Sequence, residues 1–267
     1  MRFPEPYPDF IKEPLPVHEA RLELGLVNVD GRTRIERRLT KNQLSVSGPI
    51  HMRPGLESFY LINTSGGIVQ GDRLDTRITL GKGCKAHITT QSANKIYGME
   101  SNCAVQRTAI ELKEGAHLEY VPEPNIPYAG SRFFQSNVVK LHKSSKLFFW
   151  DIAYPGRYCR NEEFGCEAYF SRLEIYVDRE PALIDTVLIN PERQDPLAAG
   201  IMGGNKFFAN VYAYAEDYGS FEKCLKGYSH CVNASHIMLV RMLGNDPLAL
   251  RKKLEKIYDD FRKAYNG

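Results

Sequence analysis

The sequence predicts a mainly β protein, a layered or solenoid-like antiparallel β scaffold with a small C-terminal helical part. From about residue 21 to 189, short segments alternate apolar with polar side chains and are separated by turns rich in glycine, proline and charge. No helical pattern lies among them, which is typical of antiparallel sheets packed in layers or coiled as a solenoid. Beyond residue 246, apolar residues recur at helical spacing and predict a helix.

The first strands form a predicted hairpin. Leu22, Leu24 and Leu26 alternate with charged residues, and Asp30-Gly31 supplies a type I′ turn signal before 33–39. The arginines of the second arm either protect a strand edge by charge or form a surface for an acidic partner, and both interpretations stay open.

The two ends of the chain differ from its middle. Residues 1–19 contain five prolines and are predicted to be an extended segment. Residues 20–267 are predicted to form a single β-rich domain. Its C-terminal helix, about 247–265, has Asp246 as the N-cap. The predicted apolar stripe of this helix consists of Leu250, Leu254, Ile257, Phe261 and Tyr265.

A glycine-rich loop, residues 65–74, lies between two predicted strands. It is either a bulged turn between strands or a phosphate-binding loop. The second interpretation fails, because Asp72-Arg73 stand where a P-loop requires lysine and a hydroxyl residue, and because the next segment alternates like a strand. None of the common catalytic motifs occurs elsewhere in the chain.

Four segments resemble, in order, the signatures of one protein family, the UreD/UreH urease accessory proteins. They read SGGIVQGDRL, TTQSANKIY, LEYVPEPNIPY and GRYCRNE, at 65–74, 89–97, 118–128 and 156–162. Three residues depart from the family pattern: Gln70 and Asn161 stand where glycine is usual, and Cys159 where alanine is usual. The C-terminal helix is also similar to the end of that family.

The resemblance implies a non-enzymatic maturation factor with a predominantly β fold and a small helical part. It implies a scaffold or chaperone that binds apo-urease and inserts nickel together with UreF and the GTPase UreG, in which the GTP hydrolysis would reside. It also implies an internal water-filled route for transient nickel, without a tightly bound cofactor.

Several acids lie among large apolar residues, where a carboxylate is stable only if it is paired, hydrated or functional. Either these acids form salt bridges, with Arg73 or Arg157 as candidate partners, or they line a hydrophilic path. Oxygen ligands bind nickel weakly, which suits a passing ion. The residues predicted to line or flank a nickel passage are Asp72, Asn94, Asp151, Asp185 and Glu162.

A second candidate metal set consists of Cys224, His230, Cys231 and His236. These are soft ligands suited to zinc or nickel. Nothing in their spacing forces the four to converge, and Cys224 alternatively serves as a core thiol. The sequence does not decide between these interpretations.

Charge and cysteine usage restrict the class of protein. The 35 Lys and Arg nearly balance the 32 Asp and Glu, which argues against a surface built to bind nucleic acid. The 6 cysteines are irregularly spaced and do not suggest a disulfide framework. No apolar run suggests a leader peptide or a membrane span. We therefore expect a cytoplasmic protein with protein partners.

Two other functions remain open at this point. A β-rich hydrolase would use paired carboxylates, for which Asp151 and Glu162 are candidates. A metal-independent protein-binding module would need neither the acids nor nickel.

Overall fold

The computed structural model describes residues 17–53 and 55–266. Within them two β-sheets pack face to face. Sheet A contains β1 (His18–Val29), β2 (Arg32–Lys41), β6 (Asp72–Leu80), β9 (Ala104–Leu112), β12 (Arg132–Leu141), β14 (Ala168–Val177) and β15 (Glu180–Ile189). Sheet B contains β3 (Leu44–Val46), β4 (Ile50–Arg53), β5 (Leu56–Asn63), β7 (Lys85–Thr90), β8 (Asn94–Ile96), β10 (His117–Tyr120), β11 (Asn125–Pro127), β13 (Lys146–Ala153), β16 (Phe207–Tyr214), β17 (His230–Val232) and β18 (Ile237–Gly244). The α-helices are α1 (Gly219–Glu222) and α2 (Pro247–Asn266), and single 3₁₀ turns lie at Tyr158–Arg160 and Lys223–Leu225.

The chain alternates between the two sheets as it winds, so that each strand pairs with the strand one coil earlier. In sheet A, β6, β9, β12 and β14 pair in parallel, and in sheet B the same holds for β5, β7, β10 and β13. The prediction of a mainly β, solenoid-like scaffold with a C-terminal helix is confirmed.

The antiparallel direction expected from the sequence is found only at the flanks of the sheets. There β1 pairs with β2, β14 with β15, and β16 with both β13 and β18. In the central coils the expectation is wrong, because consecutive strands belong to different sheets and cannot form hairpins.

The winding creates two ends with different connections. The loops that lead from sheet B to sheet A lie together at what we call the loop end, and they comprise residues 64–71, 97–103, 128–131 and 154–167. The short connections from sheet A to sheet B lie at the turn end, and they comprise residues 81–84, 113–116 and 142–145.

Period-two alternation fills the space between the sheets. Leu22, Leu24 and Leu26 of β1 each keep only 1% of their surface exposed, as their spacing predicted. The predicted type I′ turn is confirmed, because Asp30 and Gly31 both have left-handed backbone angles, φ 52° and 78°.

Sheet B is covered on its other face by α2. Trp150 and Phe148 point away from sheet A and pack in one apolar cluster with Leu254, Ile257 and Phe261 of the helix. The apolar stripe predicted for this helix therefore packs on its own sheet, and the strands of sheet B that α2 crosses are buried on both faces.

The start of α2 is capped as predicted. Oδ1 of Asp246 accepts the backbone N–H groups of Leu248 at 2.8 Å and Ala249 at 3.2 Å. Within the described ranges, no helix combines the length and the apolar content that a membrane crossing requires.

The structure describes only part of the two segments into which the chain was predicted to divide. The segment predicted for residues 1–19 lies outside the described residues as far as residue 16, and β1 begins at His18. The assignment of 20–267 to a single domain stays a prediction.

Candidate functional site

The glycine-rich loop between β5 and β6 is held by close contacts at the loop end. A Cβ on Gly67 would lie 2.5 Å from the ring of Tyr97, so a larger residue cannot fit without a shift. Oε1 of Gln70 accepts the backbone N–H groups of Ser101 at 2.8 Å and Asn102 at 3.2 Å. Gln70 thus joins this loop to the loop at 97–103, and its side chain has a structural role at a position where the family usually has glycine.

A cleft of about 200 Å³ opens beside this loop, between the two sheets. A second cavity of about 20 Å³ lies next to it and has room for about one water molecule. The two cavities share the lining residues Thr90, Asn94, Gln106 and Tyr120. The two cavities therefore adjoin, and the smaller one lies between the sheets.

Two of the predicted residues, Asn94 and Asp151, line the smaller cavity. A chain of amide hydrogen bonds joins them. Nδ2 of Asn94 donates to Oδ1 of Asn125 at 3.0 Å, and Nδ2 of Asn125 donates to Oε1 of Gln135 at 3.1 Å. Nε2 of Gln135 then donates to Oδ1 of Asp151 at 3.4 Å. The structure brings these two predicted residues into one buried network.

Asp151 sits at the inner end of this network. Its other oxygen, Oδ2, accepts the hydroxyl of Ser171 at 2.7 Å. Burial raises the pKa of Asp151 above its ordinary value, the hydrogen bonds from Ser171 and Gln135 oppose that rise, and the charge of Asp185 adds to it. A positive charge beside Asp151 would favour its ionised form.

Oxygen donors of polar side chains surround the smaller cavity. They are amide oxygens and carboxyl groups, which are hard ligands with little preference for nickel. In the described part of the chain, no group of three or more His, Cys, Asp or Glu side chains could hold a metal ion. A tight structural site would need more ligands than these.

Asp72 has a different position from Asn94 and Asp151. It is buried at the start of β6 and lines neither cavity. Oδ2 accepts the backbone N–H of Val69 at 3.0 Å, and Oδ1 accepts Nε2 of Gln43 at 3.3 Å. Burial raises the pKa of Asp72, and these contacts, with nearby His18, oppose the rise. Through its hydrogen bond with Val69, Asp72 closes the turn of the glycine-rich loop.

Asp185 lies between the sheets near their edge. Its Oδ2 accepts the hydroxyl of Tyr212 at 2.7 Å, and its carboxylate pairs with Arg241. The salt-bridge interpretation therefore applies to Asp185.

Glu162 lies in the last loop of the loop end. It pairs with Arg157, as one of the sequence alternatives predicted, and its Oε1 accepts the backbone N–H of Ala129 at 3.0 Å. The hydrogen bond from Arg157 lowers the pKa of Glu162. The carboxylates of Asp151 and Glu162, the candidate pair of a hydrolase, bond to different groups: Gln135 and Ser171 for Asp151, Ala129 and Arg157 for Glu162.

The second candidate metal set, Cys224, His230, Cys231 and His236, forms no metal-binding group among the described residues. Cys224 is exposed, so its interpretation as a core thiol is wrong. The ring of His236 packs against Tyr218, with centroids 4.8 Å apart.

Sequence reasoning missed the middle of the buried network. Gln135 and Asn137 are buried at alternate positions of β12, between the apolar residues Phe133 and Val139. Two amides at inward positions of an otherwise apolar strand are the signal that would have indicated a polar interior.

A second buried group was also missed, and it fixes α2 on sheet B. Glu119 is fully buried, pairs with Arg262, and accepts the hydroxyl of Tyr258. Burial alone would raise the pKa of Glu119, but hydrogen bonds from His87, Arg262 and Tyr258 outweigh it and lower the pKa to about 2. Tyr258 and Arg262 lie 139 and 143 positions from Glu119 in the sequence, so no local pattern indicates these partners.

Comparison with known proteins identifies the family of the chain. The profile of the family described as "UreD urease accessory protein" matches residues 18–267. The chain is 33% identical over 190 residues to the urease accessory protein UreD of Staphylococcus aureus (strain bovine RF122 / ET3-1), covering 70% of this chain and 68% of the relative. It is 32% identical over 200 residues to the UreD protein of Cenarchaeum symbiosum (strain A), covering 73% and 70%. The chain therefore belongs to the UreD family of urease accessory proteins.

Proposed function

We propose that this chain is a scaffold or chaperone in the maturation of urease and a conduit for nickel. The observation that supports the conduit most directly is the pair of adjoining cavities between the sheets, of which the smaller is lined by Asn94 and Asp151 within a buried polar network. The relatives that it matches are named urease accessory proteins, which supports the role in maturation.

In this proposal nickel is cargo and no cofactor stays bound. Asn94 and Asp151 line the passage, and Asp72, Asp185 and Glu162 flank it from their hydrogen-bonded or ion-paired positions. Glu123, the other carboxylate at the smaller cavity, pairs with Arg251 at 3.1 Å. Asp151 has no cationic partner among the described residues, and its charge would be compensated by a passing cation.

The proposed partners are UreF, UreG and the subunits of apo-urease, in the cytoplasm. In this proposal the chain is an accessory protein without catalytic activity, and GTP hydrolysis would reside in UreG. A strand-rich scaffold with exposed loops offers broad contact surfaces of the kind that protein assemblies use.

Reconstituted urease activation tests this function. Apo-urease, UreF, UreG, GTP and nickel are combined with and without the chain, and activation is expected only with it. Equal activation without the chain would contradict the accessory role. Hydrolytic turnover by the isolated chain would favour the hydrolase, and full activation by variants of the cavity residues would favour a metal-independent binding module.

A further inference from the structure

The inner face of sheet B carries a row of polar side chains that begins at Asp151. Asp151, Asn210 and Arg241 are direct register partners on β13, β16 and β18, so their side chains lie on the same face of the sheet. This face looks towards sheet A, because Phe149 and Tyr212, two positions away on the same strands, belong to the core between the sheets. An arginine at such an inward position needs a partner or contact with water.

Arg241 lies where this row reaches solvent. Its side chain is 48% exposed and that of Asp185 is 15% exposed, whereas Asn210 keeps only 1% of its surface exposed. Nε of Arg241 donates to Oδ1 of Asn210 at 3.0 Å, and Nη2 pairs with Asp185 on β15. The ion pair therefore joins the two sheets along the border between β15 and β18, which we call the lateral edge. Its outer side meets solvent and its inner side meets a buried amide.

Asn210 connects the lateral edge with the interior. Its Nδ2 is buried and has no hydrogen-bond partner in the described part of the chain. A buried amide donor of this kind is typical of a position that water reaches. Burial raises the pKa of Tyr212, and the negative charges of Asp185 and Asp151 add to the rise. The polar interior thus continues from Asp151 to the lateral edge.

The neighbouring inward positions at the lateral edge are apolar. Leu183 and Val187 lie two positions to either side of Asp185 on β15, and Leu239 lies two positions before Arg241 on β18. All three pack against the core between the sheets. A hydrated cation could cross such an apolar border only at its polar position, which the ion pair occupies.

We propose that the ion pair of Arg241 and Asp185 is a lateral closure of the polar interior, which prevents a hydrated cation from passing between Asp151 and solvent at the lateral edge. The guanidinium occupies the carboxylate of Asp185, which would otherwise be the next oxygen ligand for a cation that leaves Asp151 sideways. The cation is thereby confined to the adjoining cavities. This inference rests on the proposed function for the identity of the cation, whereas the closure itself does not.

Thiol accessibility tests the closure without nickel and without a partner. Asn210→Cys places a thiol just inside the ion pair, in a full chain whose exposed cysteines are replaced by serine: Cys159, Cys224 and Cys231. Its reaction with a small cationic methanethiosulfonate is followed by intact mass. Arg241→Gln, which is shorter and uncharged, should raise the reaction rate tenfold or more. Arg241→Gln/Asp185→Asn should do the same, and it leaves no charge without a partner.

Arg172→Gln is the matched control. Arg172 pairs with Glu174 at 2.9 Å on the outer face of sheet A, and this acid is 12% exposed against 15% for Asp185. The control should leave the reaction rate within twofold. An unchanged rate in both Arg241 variants would overturn the proposal. So would equally fast reaction of the buried cysteines, Cys84, Cys103 and Cys166, because the ion pair would then only hold the fold together.

Nickel transfer in the assembled complex tests what the closure does for the cargo. Urease is loaded with and without a chelator that stays in solution, and the ratio of the two nickel contents is compared between variants. Arg241→Gln should lower this ratio at least threefold, and Arg172→Gln should not change it. A wild-type ratio for Arg241→Gln would overturn the role of the ion pair in confining the cation. Wild-type nickel loading by Asp151→Leu would instead reject the conduit, and thiol accessibility would still decide the closure.

Discussion

The substitution Glu119→Gln should weaken the attachment of α2 to sheet B. Glu119 is fully buried, and the fall of its pKa from 4.5 to about 2 means that the folded protein favours the charged form by about 3 kcal/mol, at 1.36 kcal/mol per pH unit. Glutamine keeps the shape but leaves the mostly buried guanidinium of Arg262 without its partner. We expect the free energy of unfolding at pH 7 to fall by about 3 kcal/mol.

Urea unfolding followed by tryptophan fluorescence measures this loss. Trp150 is the single tryptophan and its ring lies 5.7 Å from that of Tyr258 on α2, so its emission reports the position of the helix. Because the folded-state pKa is depressed, the stabilisation is present above pH 4.5 and is lost as the pH falls towards 2. The gap between wild type and variant should therefore be constant from pH 7 to 5 and should narrow below that.

The control is Glu255→Gln, which removes an exposed carboxylate from the same helix, where it pairs with Arg251. Its effect should be about 0.5 kcal/mol or less. The double variant Glu119→Gln/Arg262→Met should recover part of the loss, because neither charge is then left alone. An effect of Glu119→Gln no larger than that of Glu255→Gln, or a gap that persists at pH 2, would refute the reasoning.

Two further predictions concern His117 and Gly67. Burial lowers the pKa of His117 from 6.5 to about 4, so the unfolded chain binds the proton more readily and stability falls as the pH drops from 6.5 to 4. In urea titrations at pH 7 and pH 4, His117→Gln should remove about 3 kcal/mol of that loss of stability. An unchanged dependence of stability on pH would contradict this. Gly67→Ala should destabilise the protein by about 1–3 kcal/mol because its Cβ would overlap Tyr97; Gly66→Ala, with nothing within 4 Å, is the control, and equal melting temperatures for the two variants would count against the close approach.

The alternation of apolar and polar residues was enough to predict the mainly β fold. The helical spacing of apolar residues after the Asp246 cap was enough to predict the position of α2. Leu22, Leu24 and Leu26 show period two, and Asp246 shows a helix cap, so both features are readable within a few residues. Whether neighbouring strands pair in parallel or antiparallel could not be inferred from the sequence. It depends on which sheet receives each strand, and each parallel partner lies a full coil away in sequence.

For the candidate site, the sequence identified individual acids but not the residues that contact them. A carboxylate next to Trp150 drew attention to Asp151, because an acid among apolar residues needs a partner or water. Its actual neighbours, Gln135 and Ser171, lie 16 and 20 positions away and come from the opposite sheet. Asp72 satisfied the same sequence criterion, yet it closes a turn with Val69, because the criterion identifies buried acids without saying what satisfies them.

The most direct test of the conduit is the nickel content of urease matured with the Asp151→Leu variant in the assembled complex. The same substitution at Asp75, a half-buried acid of β6 that pairs with Arg107 at 3.8 Å, is the control for loss of charge. The account predicts that Asp151→Leu lowers nickel loading while the complex still assembles, and that Asp75→Leu loads urease like the wild type. Wild-type nickel loading by Asp151→Leu would contradict the account and leave Asp151 with a purely structural role.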